Sequence, residues 1–121
     1  MRPRAAEERK RDRDRMANVF VVQESPGKDL AAAYGFGAVQ LLLEAGEVTL
    51  STASTVRRLK SLLKDFSDDD FLLLMGDPVA IGIATAVASD VNQGRVKFLK
   101  WSRHHQSYIP IAMDLNKKVG D

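Results

Sequence analysis

Residues 71–75, "FLLLM", form an apolar run without alternation, the pattern of a short strand buried on both faces. Residues 96–101 form a second strand-like run. Between them lies a segment of small and branched residues, opened by Gly76-Asp77-Pro78 and closed by Gly94. Asp77 is placed to cap a helix and Pro78 to begin it, because the first helical position has no partner for its amide anyway. Gly94 suits the left-handed residue that ends a helix. Strand, helix over 79–93 and strand make a βαβ crossover, which predicts two parallel strands.

The remaining pattern supplies the neighbours of this unit. Residues 19–23, "VFVVQ", read as a strand. Residues 24–37 carry Pro26, Gly27, Gly35 and Gly37, and predict a long loop with one helical turn at 30–33. Residues 38–43 and 47–50 read as short strands joined into a hairpin by the turn at 44–46. Val56, Leu59, Leu62, Leu63 and Phe66 recur at three- and four-residue steps, the stripe of a half-buried helix that Ser54 or Thr55 would cap. Along 108–115, Ile109, Ile111, Met113 and Leu115 alternate with Tyr108, Pro110, Ala112 and Asp114. Pro110 lacks a ladder donor, so this strand belongs at an edge, paired with 96–101 through a turn at 103–106.

The prediction is a single small α/β domain, with α+β as the neighbouring class: a mixed sheet, a βαβ crossover, a C-terminal β-hairpin and two main helices. In the second helix Ala80, Ala84 and Ala88 form a small face, while Ile81, Ile83, Val87 and Val91 spread apolar character around the rest. Such a helix is expected to be buried nearly all round. A sheet covers one side only, so a homo-oligomer is expected to cover another.

Composition narrows the chemistry. A chain of 121 residues accommodates one ordinary core. It has no cysteine, which removes disulfides, thiol catalysis and cysteine-ligated metals. No apolar run reaches the about 18 residues that span a bilayer, so no membrane partner is expected. The pI near 9.0 suggests nucleic acid. However, residues 1–15 hold seven basic and four acidic residues, and the rest hold 11 and 12. The basicity belongs to that extension, expected to be disordered or a frayed helix, and inert or upstream of a start at Met16 in preference to a basic arm on nucleic acid. Residues 16–115 form the expected domain and 116–121 a polar tail.

Each candidate site competes with a plainer structural reading. A strand running into a helix start often binds phosphate, which would make Gly76 and Asp77 a phosphate-binding corner. The Asp77 carboxylate competes for the same amides, and a single glycine is a poor cradle, so a structural cap is preferred. "SPGKD" at 25–29 fails as a P-loop, since no glycine stands five positions before Gly27 and Asp29 replaces the Ser or Thr that would meet magnesium. Asp65, Asp68, Asp69 and Asp70 lack calcium-loop spacing and read as a solvated turn. Adjacent His104 and His105 lack a metal-ligand partner at helical spacing. No metal, cofactor or catalytic constellation is expected. Arg57, Arg58 and Lys60, with Arg95, Lys97 and Arg103, would form a basic surface if the fold brought them together. Trp101 or Tyr108 would then supply a stacking ring for nucleic acid or a protein partner.

The segment 66–115 resembles a family of small bacteriophage proteins. The shared features are the acidic turn Asp68 to Asp70, the Leu-rich run, Gly76-Asp77-Pro78, the Ala-rich helix, Asn92-x-Gly94-Arg95, Leu99-x-Trp101-x-Arg103 and the final aromatic strand. The resemblance extends over about residues 19–115 and points to short-tailed and marine phages. It carries an aspartate where this chain has Ser102. It implies expression in the cytoplasm of an infected bacterium and no assigned activity. The expected role is therefore an accessory protein acting by binding to itself and to a host or phage protein or nucleic acid. The alternative is a small nucleotide- or phosphate-handling enzyme with its site at the Gly76-Asp77-Pro78 corner.

Overall fold

The computed structural model describes residues 17–45 and 52–118. Five strands, β1 (Asn18–Gln23), β2 (Ala38–Leu43), β3 (Phe71–Leu73), β4 (Arg95–Ser102) and β5 (Ser107–Asp114), form one sheet in the order β2-β1-β3-β4-β5. The first four are parallel, and β5 returns antiparallel to β4 at the edge. Helix α1 (Thr52–Leu62) connects β2 to β3 and α2 (Pro78–Val91) connects β3 to β4. The α/β class, the βαβ unit and the terminal hairpin are as the sequence predicts. The strand expected at 47–50, the extension 1–15 and the end of the tail lie outside the described residues.

Alternation along each strand builds two cores. Phe20, Val22, Leu42, Leu72 and Val96 point to one face, where Leu59 and Leu63 follow α1 and Ala80, Ala84, Val87 and Ala88 line α2. The alanines let α2 lie close to the sheet. Val19, Val21, Leu73, Leu99 and Tyr108 point to the other face, packed against the loop between β1 and β2 with its 3₁₀ turn Ala31–Gly35. Among the described residues one face thus carries two helices and the other a single loop.

Four details differ from the sequence reading. Helix α1 starts at Thr52, ahead of the expected cap at Ser54 or Thr55, and its buried stripe runs Thr55, Leu59, Leu63, Phe66, leaving Leu62 outside. Helix α2 is not buried all round: Val79 is 55% exposed, and Gly82 and Ala86 share its open face. In β5 the buried side chain is Tyr108, whereas Ile111 is 46% exposed and Met113, nearer the other end of the strand, packs against the helix-side core. The acidic turn is not simply solvated. Asp70 is buried; its Oδ1 accepts from the backbone and side-chain nitrogens of Asn18 at 3.0 and 3.2 Å. Its Oδ2 accepts from Ser67 N and Oγ.

Asp70 therefore joins the start of β3 to the start of β1, and Asn18 Oδ1 carries the connection on to Gln40 of β2. A carboxylate with four donors in a buried place is costly to remove, because the donors it leaves cannot all find water. Asp70→Ala should lower the free energy of unfolding by about 2–3 kcal/mol, measured by urea denaturation, and Asp70→Asn by less. Equal stability of the alanine variant and the parent would contradict this role.

Candidate functional site

From β1 the chain turns one way to β2, while β3 stands on the other side of β1. In parallel sheets such a reversal opens a crevice at the carboxyl ends of the strands, the usual ligand position in doubly wound folds. Here the reversal lies between Gln23 at the end of β1 and Met75-Gly76-Asp77 beyond β3. Gln23 N donates to Met75 O at 3.0 Å, and its side-chain Oε1 accepts from Asp77 N at 2.7 Å. Its Nε2 donates to Glu44 O beyond β2. Gly76 has φ +113°, and a Cβ there would fall 2.4 Å from Gln23 Cβ. Only glycine fits beside this buried glutamine.

A crevice of about 470 Å³ opens above this joint, lined among others by Ser25, Lys28, Asp29, Met75, Trp101 and Tyr108. Trp101 and Tyr108 are directly paired across β4 and β5, with ring centroids 5.1 Å apart and planes at 74°. Edge-to-face packing on Tyr108 holds the indole while leaving it 43% exposed. Opposite, Lys28 N donates to Ser25 O in a tight turn that Gly27, at φ +83°, allows. Burial pushes the Tyr108 phenol above its ordinary 10.0, and the nearby negative charge of Asp29 adds to that rise.

The basic residues do not form one surface. Arg57, Arg58 and Lys60 ride on α1, on the helical side of the sheet, with Arg58 Nε donating to Leu42 O. Arg95, Lys97 and Trp101 point to the opposite side, but Leu99 between them is fully buried in the same cluster as Ala33 of the 3₁₀ turn. Lys97 and Arg95 thus line a second cavity of about 370 Å³ toward the other end of β4. There Asp68 Oδ1 accepts from Arg95 Nε at 3.0 Å and from Asn92 Nδ2 at 2.8 Å, which holds the carboxyl below its ordinary 3.8. Lys97 Nζ sits 4.3 Å from the centre of the Phe71 ring. Arg103 opens the β4–β5 turn, its carbonyl accepting from Gln106 Nε2.

At the corner itself the Asp77 carboxylate accepts from Val79 N at 2.7 Å, taking an amide that an anion would use. What unites the sequence candidates is the crevice, which brings Gly76 and Trp101 together. Tyr108, the other candidate ring, and Lys28, from the segment 25–29 that fails as a P-loop, complete its lining, above the joint held by Gln23, which the sequence did not single out. A hairpin with its turn at 103–106 pairs Trp101 with Tyr108, so that partner was readable from register alone. In the turn the rings of His104 and His105 lie edge to face at 5.0 Å, and Ser102 Oγ meets His105 Nδ1 at 3.0 Å while accepting from His105 N. These contacts close the turn. Among the described residues no three His, Asp or Glu side chains gather as a metal site, and no helix is long and apolar enough to cross a membrane.

Strand order, helix placement and the crevice define a small single-domain α/β protein, an open sheet with both helices on one face, closed by one antiparallel edge strand. The chain belongs to the phage Pam3 gp32-like protein family, whose model matches residues 17–115. This bears out the resemblance to a bacteriophage family. No curated protein and no solved structure gives a significant match.

The raised Tyr108 phenol predicts an alkaline weakness. The folded chain keeps that proton to a higher pH than the unfolded chain does, so stability is intact below 10.0 and declines as pH rises above it. Tyr108→Phe should flatten this part of the decline, seen as a smaller loss of melting temperature between neutral and strongly alkaline pH. Identical profiles for the two proteins would refute the assignment.

Proposed function

We propose that this phage protein acts by binding, and that the crevice at the strand reversal is where a partner or ligand inserts a planar ring. Trp101 carries the reading: a large aromatic held edge-on by Tyr108, half open, in the place where doubly wound sheets receive ligands. The alternative, a nucleotide- or phosphate-handling enzyme at Gly76-Asp77-Pro78, shares the crevice, but its phosphate position competes with the Asp77 cap. The phage family favours action in the cytoplasm of the infected bacterium, on a host or phage protein or nucleic acid.

Trp101 is the sole tryptophan, so its fluorescence reports on the crevice. At least one class among mononucleotides, single-stranded oligonucleotides and aromatic peptides should quench it saturably. Trp101→Ala should weaken that binding by about tenfold or more in calorimetry, in a variant that still unfolds cooperatively. Indifference of the indole to all three classes would dismiss the reading.

We further propose that a second copy of the chain covers the open face of α2. Val79, Gly82 and Ala86 share that face, and residues 78–89 contain no charge that would repel an identical surface. Sedimentation should give a dimer or larger species at micromolar concentration, and Ala86→Glu should shift it to monomer. A parent protein that stays monomeric throughout would sink this proposal.

A further inference from the structure

We infer that the ring taken by the crevice is a nucleobase carrying a single phosphate, supplied by a free nucleoside monophosphate or by one nucleotide of a single strand. The inference rests on the binding role of the crevice argued above. A bare aromatic side chain would use Trp101 and Met75 and leave the opposite wall unexplained. That wall offers Ser25 and Lys28 on one turn, and above Gly27 a Cβ would meet nothing within 4 Å, leaving room for a bulky anionic group against the backbone. Among the described residues Lys28 makes no ion pair. A stacking platform facing a hydroxyl and an available ammonium suits a flat base joined to a phosphate. The volume of about 470 Å³ lies in the range that encloses small organic ligands.

The charge around the crevice limits the ligand to one phosphate. Among the described residues Lys28 is the only cation lining the crevice, Asp29 lines the same wall, and the Asp77 carboxylate caps α2 at the adjoining corner beside Gly76. The amide of Val79, which would otherwise draw a phosphate to the start of α2, is already bonded to Asp77. Each added phosphate therefore meets carboxylates without gaining a new cation, so di- and triphosphates should bind no better than the monophosphate.

The test is a titration of Trp101 fluorescence, excited at the red edge of the indole band, with adenosine, AMP, ATP, a short single-stranded oligonucleotide and an aromatic tripeptide. AMP should quench saturably and bind more tightly than adenosine, with ATP no tighter than AMP. Lys28→Gln should weaken AMP by roughly three- to tenfold and leave adenosine unchanged. An oligonucleotide that binds much more tightly than AMP identifies a strand as the source, and equal affinity identifies the free nucleotide; both support the base-plus-phosphate chemistry. ATP binding tenfold more tightly than AMP, or an unaltered AMP affinity in Lys28→Gln, overturns the single-phosphate assignment. Quenching by the tripeptide with none by nucleosides, nucleotides or oligonucleotide overturns the nucleobase while leaving the crevice as a binding site. Silence from every probe removes both.

Discussion

The side chain of Gln23 is the pin on which the strand reversal turns. It leaves the end of β1, accepts the amide of Asp77 at the mouth of α2, and donates to the carbonyl of Glu44 beyond β2. A reversal in a parallel sheet pulls neighbouring strand ends apart, and their unpaired backbone groups then need partners other than the ladder. Gln23 supplies them while remaining buried itself. The requirement spreads to its neighbours: Gly76 must lack a Cβ because the glutamine occupies that space, and Asp77 is oriented by the bond to its amide so that its carboxylate caps α2.

The uneven layering follows from chain economy. Two helices return β2 to β3 and β3 to β4 over the same face, so that face acquires a full core. Among the described residues the other face receives only the β1–β2 connection, a loop with one 3₁₀ turn that buries Leu99, Leu73 and Tyr108 and reaches no farther. Cavities therefore remain toward the two ends of β4, one around Trp101 and one around Lys97. Both contain sequence-singled residues because alternation in β4 sends Arg95, Lys97, Leu99 and Trp101 to this thinly covered side.

Much of the fold was legible because local signals agreed with global ones. The unalternating "FLLLM", the Asp77-Pro78 start and Pro110 at an edge each state a backbone requirement that the tertiary structure leaves intact. The acidic turn was less legible. Asp68, Asp69 and Asp70 look alike in sequence, yet Asp68 binds Arg95 and Asn92, whereas Asp70 is drawn inside by Asn18, 52 residues away. Nothing local distinguishes them, because the distinction is made by which strand start lies next to which. The same reason scattered the basic residues: charge count is a property of sequence, but the sheet between α1 and β4 decides that Arg57 and Lys97 face opposite ways.

The distribution of satisfied groups gives the crevice its character. Asp70 spends its oxygens on Asn18 and Ser67, Gln23 its side-chain amide on backbone, Asp77 its carboxylate on the helix it caps, and Asp68 its own on Arg95 and Asn92. These bonds belong to folding, and each takes a group that might otherwise look functional in the sequence. Trp101 differs because its exposed area is not needed to complete the core: Tyr108, beneath and beside it, is the residue buried there. An exposed indole costs the folded state apolar surface in water, roughly 25 cal/mol for each Å² left uncovered. The ring proposed to enter beside Ser25 and Lys28, where the parallel sheet parts, would cover that area. The strongest functional signal in this small domain is therefore the large side chain that folding left half uncovered.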